Sequence, residues 1–202
     1  MALRQLVLGT HNRDKGDEFK ALLSDLDVEI LTLDQFPHIG EIMEDSETLE
    51  GNAQKKSEEV FRMTRLPTLA DDSGLEVHYL NGEPGVYSSR YAGAMATYQD
   101  NRKKLLSNLR GVPPRRRAAR FRCVLSFIAP GNLRFLAEGI CNGVILESPR
   151  GTNGFGYDPL FLPGGYSKTL AEMTPSEKNI LSHRAKAVET IKPLMAAYFQ
   201  FK

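Results

Sequence analysis

A chain of 202 residues with 41% apolar and 25% charged side chains can bury a sizeable core, which excludes a mainly disordered protein. Its net charge of +1 provides no global field towards nucleic acid or a membrane surface, so any attraction for anions has to be local. No apolar run approaches the roughly 20 residues that span a bilayer, and Cys123 and Cys141 lack metal-ligand spacing, which points to reduced thiols and a cytoplasmic setting.

The opening segment, Met1 to Gly9, has too short an apolar stretch for a signal-peptide core and reads as a strand centred on Leu6-Val7-Leu8. Phe19, Leu22, Leu23 and Leu26 follow at i, i+3, i+4 and i+7, the spacing of one helix face. Val28 to Leu31 forms a second strand, parallel to the first, and its unbroken apolar character fits a sheet covered on both sides. A polar, acidic loop from Pro37 to Ser46 leads to a helix from about Thr48 to Arg65. Thr68-Leu69-Ala70 is a short strand that ends at Asp71-Asp72-Ser73-Gly74. Leu75, Val77 and Tyr79 alternate along the next strand, which Asn81-Gly82 closes.

A helix covers roughly Thr97 to Leu109 and stops before Pro113-Pro114. Ala119, Phe121, Cys123, Leu125 and Phe127 mark one face of a long strand turned by Pro130-Gly131-Asn132. Leu133–Ala137 and Cys141–Ile145 continue it as an antiparallel meander. A glycine-rich loop, Gly151 to Asp158, comes next. Thr174-Pro175-Ser176-Glu177 is a capping box with proline at the first helical position, and the last helix, restarting near Ser182, runs to Phe199. The expected fold is α/β: a mixed twisted sheet flanked by helices, one domain over 1–202 with two lobes and a central substrate cleft.

Four constellations carry chemistry. Thr10-His11-Asn12-Arg13-Asp14-Lys15 stands where a strand ends and a helix begins, a junction whose free N–H groups and helix dipole suit a phosphate; it equally suits a plain cap with a solvated lysine. Glu44, then Asp71-Asp72 at a strand end, supply hard oxygen ligands for Mg²⁺ and a base for an attacking water, while Asp-Asp-Ser-Gly also reads as an ordinary turn. Phe155-Gly156-Tyr157-Asp158 offers a ring to stack on a base and a carboxylate to accept a base N–H, or a glycine turn whose aromatic packs in the core. Lys178 and His183-Arg184 reach one site only if the helix breaks between them; otherwise they are solvated helix residues.

The one basic stretch, Arg115, Arg116, Arg117, Arg120 and Arg122, reads as a solvated strand edge rather than a nucleic-acid surface. Neither a Walker loop nor a dinucleotide G-x-G-x-x-G is present, which argues against the common nucleotide-hydrolase and dehydrogenase routes.

Thr10-x-Asn12-x-x-Lys15, Glu44 with Glu50-Gly51-Asn52-Ala53-x-x-Lys56, and Ala70-Asp71-Asp72-Ser73-Gly74-Leu75 are the first markers of a wider resemblance. Pro84-Gly85-Val86-Tyr87-Ser88-Ser89-Arg90-Tyr91, Gly154-Phe155-Gly156-Tyr157-Asp158-Pro159 and Glu177-Lys178-x-x-x-Ser182-His183-Arg184 complete it. In this order, over nearly the whole chain, they resemble the inosine-triphosphate pyrophosphatase family. The resemblance implies hydrolysis of ITP, dITP and XTP between the α- and β-phosphates by a Mg²⁺-dependent, usually homodimeric enzyme that clears deaminated purines from the nucleotide pool. A related pyrophosphatase acting on other modified nucleotides is the alternative.

The resemblance also implies roles. Asp72 would be proton acceptor and metal ligand, with Glu44 as second ligand. Thr10, Asn12, Lys15, Lys56 and Ser73 would hold the triphosphate, with His11, Arg13 and Asp14 in the same loop. Phe155, Gly156, Tyr157, Asp158, Lys178, His183 and Arg184 would surround the base. Two departures stand out: His11 where many members have glycine, and Met43 where an acid often precedes Glu44.

Overall fold

Leu6, Val7 and Leu8 are all buried, as a strand covered on both faces requires, and they form β1 (Gln5–Leu8). The computed structural model describes residues 4–200, so the expectation for Met1, Ala2 and Leu3 lies outside the described residues. Helix α1 (Arg13–Leu22) ends a turn earlier than its apolar spacing predicts. Leu23 caps it and packs in the core, while Ser24 Oγ donates to the Ala21 carbonyl, a local bond that competes with helix continuation. β2 (Glu29–Thr32) pairs parallel with β1 in the register Leu6↔Ile30, and helix α2 (Leu49–Thr64) starts at Thr48, whose hydroxyl accepts the Gly51 N–H.

β3 (Thr68–Val77) pairs parallel with β1 and departs from expectation. Sequence predicts a break after Ala70, yet the strand runs straight through Asp71-Asp72-Ser73-Gly74. The two carboxylates find cations inside the protein and need no exposed turn. A Cβ at Gly74 would lie 2.4 Å from the Gly85 carbonyl oxygen, so only glycine permits that approach. Beyond Val77 the chain enters a 3-10 turn, His78–Leu80, instead of extending to Tyr79. Asn81 and Gly82, at φ 52° and 92°, reverse it, so that the Val77 N–H donates to the Glu83 carbonyl.

Helix α3 (Tyr98–Asn108) begins at a Thr97–Asp100 capping box. β4 (Ala118–Ala129) and β5 (Leu133–Ile145) form a hairpin across Gly131 and Asn132, both at positive φ. β5 is one strand where two are expected, because the alternation of buried and exposed residues continues unbroken through Ala137, Glu138, Gly139 and Cys141. β6 (Phe161–Pro163) pairs antiparallel with β5, and the six strands follow the order β2-β1-β3-β4-β5-β6. Helix α4 (Pro175–Leu181) opens on the predicted capping box. It stops at Ser182, whose ψ of 157° is extended, and α5 (His183–Gln200) restarts at once. The mixed sheet with helices bears out the α/β expectation.

The described chain divides into two compact units. One comprises the chain up to Asp72, Cys123–Gly139 and the segment from Arg184; its core includes Leu6, Phe19, Leu69, Phe127 and Ile191. The other comprises Ser73–Arg122 and Ile140–His183, around Leu75, Leu105, Phe121, Leu160 and Phe161. Both cysteines are buried and unbridged, and no helix among the described residues is long and apolar enough to cross a membrane.

The arginine stretch needs one correction. Arg117 is buried, not solvated: Nε, Nη1 and Nη2 donate to the carbonyls of Val112, Leu146 and Leu109 at 3.0, 3.0 and 2.7 Å. It ties the end of α3 to the strand edge. Arg120 pairs with Glu76 at 2.6 Å, Arg122 approaches the same carboxylate at 3.6 Å, and Arg116 lies 4.7 Å from the Tyr79 ring centroid.

Candidate active site

In the first unit the loop between β1 and α1 folds onto its own side chains. Asn12 caps α1: its Oδ1 accepts the Lys15 N–H at 3.1 Å, while its own N–H donates to Thr10 Oγ1 at 3.2 Å. His11 is exposed, with Nε2 3.1 Å from the Gly40 carbonyl oxygen, and Arg13 and Asp14 are exposed on the first turn. Lys15 turns inwards, and its Nζ lies 3.0 Å from Asp71 Oδ2.

Asp71 and Asp72 are successive strand residues whose side chains face opposite ways, so their nearest partners differ although Lys15 and Lys56 act on both. Asp71 belongs to Lys15 and to Arg184, whose Nε lies 3.8 Å away and whose Nη1 donates to Glu18 at 2.9 Å. Asp72 accepts from Asn52 Nδ2 at 2.9 Å and lies 3.7 Å from the Lys56 ammonium, which also holds Glu44 at 2.5 Å. Ser73, half-buried, follows on the same strand.

These surroundings pull the carboxyls apart. Burial works to raise Asp71, but Lys15, Lys56 and Arg184 outweigh it and hold that carboxyl far below the usual range. Burial dominates at Asp72 and raises it: Lys56 and Lys15 oppose this incompletely, and Glu44 adds to the rise. At Glu44 burial is overcome by Lys56 and Lys15, and the carboxyl stays low. Burial also acts to lower Lys56, but Asp71, Asp72 and Glu44 outweigh it, so the lysine holds its proton more tightly than usual.

Among the described residues no group of three or more His, Cys, Asp or Glu side chains forms a metal cluster. Glu44 and Asp72 nonetheless flank a single cationic centre, the Lys56 ammonium, with hard oxygen atoms. A two-carboxylate set of this kind fits a hard divalent cation that completes its shell with phosphate and water.

In the second unit Asp158 organises the glycine-rich loop. It is buried, and its Oδ2 accepts the Phe155 N–H at 3.0 Å and Lys178 Nζ at 2.5 Å. Gly154 has φ 69°, and a Cβ there would lie 2.2 Å from Asp158 Oδ2, so any side chain would displace the carboxylate. The Gly156 carbonyl accepts from Arg102 Nη1 at 2.7 Å. Phe155, half-buried, has Lys178 Nζ 4.9 Å from its ring centroid. Tyr157 is buried, with its hydroxyl donating to the Ser88 carbonyl at 3.0 Å, and burial pushes its phenol above the ordinary range. His183 is buried and stacks on Phe121, centroids 4.8 Å apart at 12°.

The sequence-predicted residues are divided between the units, with two departures from the expected grouping: Ser73, expected with the triphosphate, belongs to the second unit, and Arg184, expected with the base, belongs to the first beside Asp71 and Glu18. Three further residues hold them in place: Asn52, Glu18 and Arg102. Asn52 carries a readable signal, since it precedes Lys56 by four residues and so shares its helix face. Glu18 and Arg102 carry none, because their partners lie 166 and 54 positions along the chain.

The model of the Ham1 family matches residues 6–194. The dITP/XTP pyrophosphatase of Geobacter sulfurreducens is 46% identical over 190 residues, 94% of this chain and 96% of that protein. The enzyme of the same name from Bacillus subtilis is 42% identical over 195 residues, 96% and 98% of the two chains. Among solved structures, a HAM1 protein from Coxiella burnetii aligns with a TM-score of 0.87 at 37% identity, covering 96% of this chain and 100% of that one.

Proposed function

The chain belongs to the Ham1 family, and on that premise we propose that it hydrolyses dITP, XTP and ITP between the α- and β-phosphates, releasing pyrophosphate and the nucleoside monophosphate. This activity clears deaminated purines from the nucleotide pool. The observation that supports the reading best is the buried cluster in which Lys56 joins Glu44 and Asp72 while Lys15 holds Asp71. Cleaving a phosphoric anhydride calls for cations on the phosphate oxygens and an acceptor for the proton of the attacking water, and this cluster offers both.

Lys15 and Lys56 are assigned to the triphosphate, with Thr10, Asn12 and Ser73 as polar partners and His11, Arg13 and Asp14 at the rim. Asp72, whose carboxyl is raised by burial, is assigned as the proton acceptor. Glu44 and Asp72 would hold Mg²⁺, which when bound neutralises phosphate charge and makes water easier to deprotonate. Phe155, Gly156, Tyr157, Asp158, Lys178 and His183 are assigned to the base, the Phe155 ring as its stacking surface. A 6-keto purine presents an N1–H donor and a 6-carbonyl acceptor where adenine presents the reverse, so Asp158 is assigned to N1–H and Arg184, by residue type, to the carbonyl. A cytoplasmic homodimer completes the reading on the family resemblance.

Pyrophosphate release from XTP, dITP, ITP, GTP, ATP and dUTP, with and without Mg²⁺, tests this. The expected result is Mg²⁺-dependent release from XTP, dITP and ITP far above ATP. Preference for dUTP would replace the purine reading with one for other modified nucleotides, and orthophosphate as the product would overturn the bond assignment.

A further inference from the structure

Asn52 joins the acidic loop to Asp72 from inside α2. It is fully buried, its Nδ2 donates to Asp72 Oδ2 at 2.9 Å, and its Oδ1 accepts the Ser46 backbone N–H at 2.9 Å. Since a backbone N–H can only donate, the amide oxygen must face Ser46 and the NH₂ must face Asp72. Lys56, on the same helix face one turn further on, reaches Glu44 at 2.5 Å and Asp72 Oδ1 at 3.7 Å. Lys56 supplies charge to both carboxylates. Asn52 supplies direction, binding one oxygen of Asp72 so that the other is turned towards Lys56.

Ser46 stands two residues after Glu44, so its bond to Asn52 also fixes the loop that carries Glu44. The preceding glycine makes the approach possible: a Cβ at Gly51 would lie 2.0 Å from Ser46 Oγ and 2.8 Å from Ser46 Cβ. Gly51 lets the loop close on the helix, and Asn52 locks it there.

We propose that Asn52 is a positioning residue that sets Asp72 and the Glu44 loop as a preformed divalent-cation site; this rests on the assignment of Glu44 and Asp72 as metal ligands. Partners that orient metal-binding carboxylates in this way are typically worth about 10- to 100-fold in metal affinity. The amide is assigned neither to substrate nor to the attacking water and acts through Asp72 and the Glu44 loop, so any loss of turnover should come with a loss of metal affinity.

Binding of Mn²⁺, in place of Mg²⁺, to the nucleotide-free protein by electron paramagnetic resonance is the test. Asn52→Leu, which keeps the branched outline but is larger and makes no hydrogen bonds, should weaken Mn²⁺ about 10- to 100-fold. The loss should shrink when Glu44→Gln is already present, because the loop arm then has no ligand to hold; a general packing defect would give the same loss in both backgrounds. Two measurements cover a variant that fails to fold. Gly51→Ala, which pushes Ser46 away with Asn52 intact, should also weaken Mn²⁺, and the Asn52 side-chain amide resonance of the wild type should shift on Mg²⁺ titration. Unchanged Mn²⁺ affinity in folded Asn52→Leu, no Mn²⁺ binding by the nucleotide-free wild type, or an unmoved Asn52 resonance would overturn the proposal. A wild type that binds Mn²⁺ and loses it on Asn52→Leu, yet releases no pyrophosphate, would support the positioning role and refute the activity.

Discussion

Both units bury a lysine against an aspartate, but the two pairs keep different company. In the second unit Lys178 and Asp158 pair at 2.5 Å, and the same carboxylate oxygen accepts the Phe155 N–H that shapes the loop. In the first unit Lys15, Lys56 and Arg184 meet Asp71, Asp72, Glu44 and Glu18, so each charge has competing partners. A buried pair of this kind fixes geometry, since parting its members leaves a buried charge uncompensated. The richer cluster keeps Asp71 low and Asp72 raised on adjacent positions of one strand, which is how two like groups come to hold different protonation tendencies. The first unit is thus suited to chemistry on charged oxygens and the second to presenting a fixed surface.

The sharpest way to break this contrast is Lys178→Met. It leaves Asp158 buried beside the Phe155 N–H without its ammonium, and removing one partner of a buried pair costs about 3–5 kcal/mol. Urea denaturation would show the loss, and a near-neutral result would mean that the pair is not what shapes the loop.

Asp72→Asn should do the opposite in kind: turnover drops by about 10²-fold or more while thermal stability holds or rises. Burial already disfavours the charge at Asp72, so a neutral amide of the same shape removes a cost. Steady-state pyrophosphate release alongside calorimetry separates the two effects, and an active variant would refute the proton-acceptor role.

Lys15→Met carries the contrast to the substrate. A cation assigned to phosphate is blind to the base, so KM for XTP and dITP should rise by the same factor, about 10-fold, the lower range for a hydrogen bond to a charged group. A shift in preference between bases would move Lys15 out of the phosphate subsite.

Tyr157→Phe should be the mildest. Losing the hydroxyl donated to Ser88 costs about 0.5–1.5 kcal/mol at neutral pH. Burial raises the folded-state pKa of this phenol, so its contribution is complete below the unfolded value of about 10 and is lost as pH rises beyond it. Urea midpoints between pH 8 and 11 should fall more steeply for the wild type than for the variant; parallel curves would mean that Tyr157 does not govern the alkaline limb.

Local chemistry was legible without a structure. Thr174 caps its helix as its capping box predicts, the helices expected from about Thr48 and Thr97 start there, Ser182 breaks the last helix, and β1 and β2 pair in parallel as their apolar runs suggest. Each of these depends on a side chain and a backbone a few residues away, or on a periodicity of the segment itself. The same logic brought Glu44, Asp72, Phe155 and Asp158 forward as candidates by residue type, whereas Lys56 entered only through the family resemblance.

Tertiary structure alone decided what those residues face. β3 passes unbroken through Asp71 and Asp72 because Lys15 and Lys56 arrive from two helices to meet them. Arg117 is buried because the carbonyl of Leu146, 29 positions on, joins those of Leu109 and Val112 around its guanidinium, and Arg184 is bound to Glu18, 166 positions earlier. Asp158 has its lysine 20 residues away. A turn propensity is a local free energy of a kcal/mol or less, whereas leaving a buried carboxylate without its cation costs several, so the remote partner overrides the local signal wherever the two compete.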